Sequence, residues 1–137
     1  MDETTMRQRV REARVGHLAT VRAGERPHVV PCCFILDRRD EVVYSAVDAK
    51  PKSTFALKRL DNLRANPSAS LLVDHFEEDW SALWWVRIDG TARIIGSGPE
   101  FDRALAELIA KYKQYARQPP PGPIIAIDIA AWNGWSS

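Results

Sequence analysis

Long apolar runs are missing from this chain of 137 residues: no stretch approaches the roughly 20 apolar positions that a membrane-spanning helix needs. Excess charge is missing too. With 19 basic and 18 acidic side chains the formal balance is +1, so nothing global points to nucleic acid and any electrostatic recognition has to be local. Cysteine is limited to the adjacent pair Cys32-Cys33. Neighbours on a strand point to opposite faces, so reduced thiols are expected there rather than a disulfide. The opening MDETTMRQRVREAR is charged and lacks the apolar centre of a signal peptide, which predicts a soluble, cytoplasmic protein. Catalytic signatures are equally scarce. No G-x-S-x-G or G-x-x-x-x-G-K occurs, and no general base or carboxylate pair stands out. An enzyme without conspicuous acid–base residues leaves the chemistry to a bound cofactor.

What the chain does contain is ordinary globular material, 45% hydrophobic and 27% charged, read as one domain over residues 1–137. Residues 3–14 predict a short helix with Val10 and Ala13 inward. GHLATV from Gly16, HVVPCCFILD from His28 and EVVYSAV from Glu41 predict three strands in an antiparallel meander. Pro31 interrupts the second of them, which argues for an edge position or a bulge. The period then changes. Ser53 is a plausible N-cap for a helix with Ala56, Leu60 and Leu63 on one stripe, ended by Asn66-Pro67.

SASLLVDHF and SALWWVRIDGTARII predict a fourth and a fifth strand; in the fifth, Trp84, Val86 and Ile88 share one face and Trp85, Arg87 and Asp89 the other. Ser97-Gly98-Pro99-Glu100 reads as a capping box opening a helix to about Tyr115, with Arg103, Glu107 and Lys111 spaced for exposed pairs. IIAIDIAAW, ending in WNGWSS, is the sixth strand. The expected fold is mainly β with peripheral helices, a six-stranded antiparallel barrel.

Three local features could carry function. The acidic segment His75-Phe76-Glu77-Glu78-Asp79 is metal-capable in composition, but lacks a second contributor at recognisable spacing and reads as a solvated turn, with no metal site expected. Trp84 and Trp85 point to opposite faces, so core packing explains one, while the other calls for cover by a partner chain or ligand. Between Asp48 and Asn66, five cations (Lys50, Lys52, Lys58, Arg59, Arg64) face two carboxylates. Lys50 and Lys52 flank Pro51 just before a helix start whose free N–H groups favour an anion, so they and Ser53 form a candidate phosphate site. Aromatic and basic residues on a small barrel can also stack single-stranded bases, a reading the near-neutral charge opposes.

GHLATV, RPHVVPCCFILD, EVVYSAVDAKPKS and LKRLDNLRANPSASLLVDHF together resemble the split β-barrel flavoprotein family that includes pyridoxamine 5′-phosphate oxidase. DHFEEDWSALWWVRIDGTARI and the closing WNGWS resemble an actinobacterial branch classed as oxidoreductases using the deazaflavin coenzyme F420. The resemblance implies a homodimer with cofactor in two grooves between subunits. It places Ser45, Ala46 and Val47 along the cofactor, Lys50, Lys52 and Ser53 on its phosphate with Lys58 and Arg59 nearby, Pro31 and Cys32 by the ring system, and Trp84 or Trp85 of the partner closing the groove. The implied activity is hydride transfer between reduced F420 and a small organic acceptor; FMN in the same groove, or non-catalytic storage of a flavin or haem, are the alternatives.

Overall fold

Period-two alternation is realised as one curled antiparallel sheet. The computed structural model describes residues 1–22, 24–47 and 54–137, the side chains of 54–57 excepted. Among the described residues seven strands run in the spatial order β2-β1-β5-β6-β7-β4-β3. They are β1 (Gly16–Val21), β2 (Pro27–Cys32), β3 (Ile35–Leu36), β4 (Val42–Ala46), β5 (Ser68–His75), β6 (Trp84–Ile95) and β7 (Ile124–Ser136). Four helices accompany them: α1 (Glu3–Glu12), α2 (Thr54–Ala65), α3 (Pro99–Lys111) and α4 (Lys113–Arg117). None is long and apolar enough to cross a membrane. The architecture is a mainly-β half-barrel with peripheral helices.

Inward positions of the strands, including Leu18, Leu71, Val73, Val86 and Ile88, meet Phe34, Val43, Ile125 and Ile127 in the main core. Helix α1 adds Met6 and Val10, and α2 adds Leu60 and Leu63. On the sheet's other side, α3 and α4 cover only one half. Ala104, Leu108, Tyr112 and Tyr115 pack there on Tyr44, Ala46, Ile124 and Ala126. Four consecutive buried residues, Ile124 to Ile127, follow directly: that end of β7 is covered on both faces.

The other half of the outer face is bare. It was set up by a bulge. Asp89 pairs with Ala131 but Gly90 pairs with Ile129, so Ala130 is an extra residue in β7. The extra residue switches parity: Ile125, Ile127 and Ile129 face the core, whereas Trp135, five residues past Ala130, stands 46% exposed on the outside.

Several expectations need correction. Seven strands replace six because HVVPCCFILD breaks at Cys33-Phe34. The backbone N–H of Phe34 donates to the Tyr112 hydroxyl at 3.1 Å, and its carbonyl accepts from Lys111 Nζ at 2.9 Å and from that hydroxyl at 3.1 Å. With both groups taken by the end of α3, Phe34 has nothing to offer a neighbouring strand. The Lys111 ammonium, enclosed between the Phe34 and Tyr112 rings, is pushed by burial down to about 8. The meander is also split: β1–β2 and β3–β4 pair as antiparallel neighbours, but the break sends β2 and β3 to opposite edges of the sheet.

The capping box does not form. Gly98 occupies the N-cap position without a side-chain bond. Glu100 instead accepts from Arg93 Nη1 at 2.9 Å and Nη2 at 3.0 Å, and from the Tyr44 hydroxyl at 2.7 Å. Arg93 also grips Asp128, with Nε at 2.7 Å and Nη2 at 2.9 Å, so one guanidinium ties β6 to α3 and to β7. The predicted helix to Tyr115 is interrupted at Tyr112, and the exposed row of pairs is absent: Glu107 meets Arg38 at 3.8 Å while Lys111 turns inward. Two expectations hold as stated. Pro31 sits on an edge strand, and the adjacent cysteines point to opposite sides, Cys32 entering one core cluster while Cys33 packs on the other.

Candidate functional site

A basic cluster forms where the β1–β2 hairpin meets α2. The buried Asn62 amide of α2 donates to Thr20 Oγ1 of β1 at 3.1 Å, which docks the helix on the strand. This brings Lys58 and Arg59 over the hairpin's own cations. Arg22, Arg26, Lys58, Asp61 and Asn62 line a cavity of about 430 Å³. His28, opposite Thr20 in the β1–β2 register, belongs to the same cluster. Burial first, then Arg22, Arg59 and Lys58, hold its imidazole below the ordinary value. Both Nδ1 of His28 and Nε of Arg59 are buried without a hydrogen-bond partner among the described residues. Like charges are gathered here and two inward polar atoms are left open, which is the electrostatic arrangement an anion would relieve.

The second feature lies on the bare outer face. His17, Val29, Ser70, Leu72, Asp74, His75, Phe76, Trp84, Trp85, Arg87 and Trp135 are among the residues lining a cavity of about 550 Å³. Its floor follows from strand register. Pro31, His17, Leu72, Arg87 and Asn133 form one row across five strands, and Asp74, Trp85 and Trp135 form the next but one. Phe76 is 64% exposed and Trp80 68%. Trp84 answers for the core side: it packs against the main cluster, lies under the Arg9 guanidinium at 4.9 Å and stacks with His75 at 6.3 Å between centroids. Trp85 takes the outer side.

The predicted site residues fall into groups. Lys58 and Arg59 join the basic cluster, and Trp84 and Trp85 line the aromatic cavity. Pro31 is exposed on the outer face, one row from that cavity's centre, whereas its neighbour Cys32 is buried in the core. Ser45, Ala46 and Val47 are buried; the Ser45 hydroxyl donates to the Cys33 carbonyl at 2.8 Å and the Val47 N–H to the Pro123 carbonyl at 3.2 Å. Lys50, Lys52 and Ser53 lie outside the described residues. The acidic segment is a connection between β5 and a 3₁₀ turn, Trp80–Ala82, capped by Asp79, and no group of three metal-capable side chains occurs among the described residues.

Sequence reasoning missed His28, Arg22 and Arg26 in the basic cluster, and Asp74, Phe76 and Trp135 in the aromatic one. A signal existed for the first set: R-A-G-E-R-P-H carries two arginines and a histidine around one turn. For Trp135 there was none, since its face depends on the bulge.

Comparisons with known proteins agree on the fold. A family model described as pyridoxamine 5′-phosphate oxidase matches residues 3–136. The structure of the conserved hypothetical protein Rv2991 from Mycobacterium tuberculosis superposes with a TM-score of 0.80 at 19% identity, over 99% of this chain and 85% of that one. An FAD-binding protein (mll6688) from Mesorhizobium loti gives 0.73 at 22%, over 98% and 94%. HutZ, the heme storage protein of Vibrio cholerae, gives 0.71 at 18%, over 97% and 90%. No curated protein sequence matches. At these identities the structural likenesses speak for fold alone.

Proposed function

Because the chain belongs to the pyridoxamine 5′-phosphate oxidase family, we propose that it is an oxidoreductase that binds the deazaflavin F420 between two copies of itself and reduces a small organic acceptor. The observation that carries this reading is the basic cluster. His28 and Arg59 offer buried nitrogens with no partner among the described residues, beside Arg22 and Lys58, and that donor set fits the phosphodiester of such a cofactor. Lys50, Lys52 and Ser53, by resemblance, extend the anchor. By resemblance the exposed Pro31 would lie along the approach to the ring system, with the buried Cys32, Ser45, Ala46 and Val47 behind it. Bound and reduced, the cofactor supplies hydride; the protein's part is position, charge and exclusion of water.

A second copy has a surface to occupy. Val29, Leu72, Phe76 and Trp135 are exposed together on the uncovered half of the sheet, and large contiguous apolar faces of this kind mark interfaces. A twofold partner would roof the groove with Trp85. FMN carries a comparable phosphate and is the second reading, favoured by the likeness to the FAD-binding protein of M. loti. Haem storage draws on the likeness to HutZ and on His17 and His75 lining the aromatic cavity, but its carboxylates would meet Asp74 there. We place the protein in the cytoplasm.

The test is a fluorescence titration of the purified chain with F420 and, separately, FMN. F420 is expected to bind at micromolar concentration and to reduce an added acceptor when supplied reduced. Tight FMN binding with indifference to F420 would replace the cofactor; stoichiometric haem or flavin binding without turnover would replace the enzyme by a carrier.

A further inference from the structure

The aromatic cavity has a chemistry that differs from that of the basic cluster. Trp84, Trp85, Trp135, Phe76 and Leu72 supply its walls, all from one chain. Its volume of about 550 Å³ falls in the usual small-molecule range of roughly 300–1,000 Å³. Three strands present Asp74, Trp85 and Trp135 side by side in register, and directly opposed residues on a sheet stand about 5 Å apart at Cβ. The carboxylate is therefore set beside Trp85, with Trp135 one strand further on.

Charge accounting singles out that carboxylate. Arg87 also lines the cavity, but its Nε is held by Asp89 at 3.0 and 3.2 Å. His75 is engaged with Glu77 at 2.5 Å, and His17 is the remaining titratable group on the lining. Asp74 has no hydrogen bond or ion pair with any described residue; the negative charge therefore stands uncompensated, and Glu78 and Asp79 follow it in the adjoining turn. The arrangement is not what an apolar or anionic ligand would select. Ring faces carry negative quadrupole density, so indoles and a carboxylate act together on one class of guest: a weakly hydrated organic cation. A small, strongly hydrated ion would gain only the carboxylate and lose its water.

We propose that this cavity is the binding site of a flat organic cation, an N-alkylated heteroaromatic ring or its equivalent, lying across the Trp85 and Trp135 side chains with Asp74 as counter-ion. Binding rests on this geometry and on a second copy that roofs the cavity without filling it. The ligand's role as acceptor rests on the oxidoreductase reading above, and the two fit chemically. Hydride from reduced deazaflavin, adding at the C=N⁺ carbon, brings two electrons, returns the nitrogen lone pair and leaves a neutral ring without a proton from the protein.

The test uses the full chain, without cofactor, titrated calorimetrically with N-methylquinolinium and with its uncharged relative quinoline at pH 8. The cation is expected to bind at least tenfold more tightly. Asp74→Asn, on an exposed side chain and with the fold checked by circular dichroism, should erase that preference, and Trp85→Leu should weaken both probes. Equal affinities for the two probes, a preference that survives Asp74→Asn, or binding of neither would overturn the proposal. The cofactor reading is tested separately through His28 and Arg59, so either can fail while the other stands.

Discussion

A methyl group added at Gly90 would stand 2.2 Å from the Asp128 carbonyl oxygen and 2.9 Å from Cγ2 of Ile127. The first contact is backbone, in the strand pair that makes the bulge, and cannot swing aside. Gly90→Ala is therefore expected to cost about 1–3 kcal/mol, read as a lower urea midpoint at unchanged slope. His28 makes a prediction of a different kind. Its imidazole is held below the ordinary value by burial and by Arg22, Arg59 and Lys58; an arriving phosphate reverses the local field and favours the charged ring. Cofactor binding should then take up a proton, and affinity should rise as pH falls from about 8 to 6. Calorimetry in two buffers of different ionisation enthalpy measures that uptake, and a pH-independent affinity would contradict it. His28→Ala should weaken binding roughly tenfold, the range of a charge-assisted hydrogen bond. In the sequence His28 is one histidine at the head of an apolar run. The cations that give it meaning stand at positions 22, 58 and 59, and only the docking of α2 through Asn62 and Thr20 brings them together.

Strands and helices were legible where the period was local. The first strand, the helix stripe through Leu60 and Leu63, and the two faces of β6 all follow from side-chain alternation in one segment. The errors share a cause. The break at Phe34, the missing capping box and the early end of α3 are each decided by a partner far along the chain: Tyr112 and Lys111 for Phe34, Arg93 for Glu100. Local propensity has no access to such partners. The Arg93 clamp can be tested. Glu100 is drawn down to about 2, first by the Arg93 bond and then by Tyr44, from an ordinary value of 4.5. A carboxyl lowered in the folded state contributes stability that is complete above about 4.5 and lost as pH falls toward 2. Arg93→Met should remove that dependence, on the order of 1 kcal/mol once solvent screening is allowed for. Denaturation midpoints of the two proteins should converge as the pH is lowered; a constant gap from pH 7 to pH 3 would show that the clamp contributes packing and not charge.

Over the whole molecule, cover is unequally distributed. Helices α1 and α2 close the inner side, α3 and α4 close half of the outer side, and the remaining half exposes Val29, Leu72, Phe76 and Trp135. The composition hinted at this, since two adjacent tryptophans on one strand cannot both enter the same core. It could not say which face was bare, because that depends on α3 folding back over β7. A dimer through the bare face predicts twice the chain mass by light scattering at micromolar concentration, and Trp135→Arg should give a folded monomer. A wild-type monomer would remove the partner from the account. The two ends of the molecule divide the work: cations and buried nitrogens without a partner among the described residues at the hairpin, indoles and the Asp74 carboxylate at the other end of the same strands. The claim that joins them is that the basic cluster anchors a phosphorylated deazaflavin. Its most direct test is the F420 titration of the wild-type chain beside a folded His28→Ala/Arg59→Ala variant. Micromolar binding by the wild type, weakened at least tenfold in the variant, is the result predicted; equal affinity in both, or no binding to a folded wild-type chain, would contradict it.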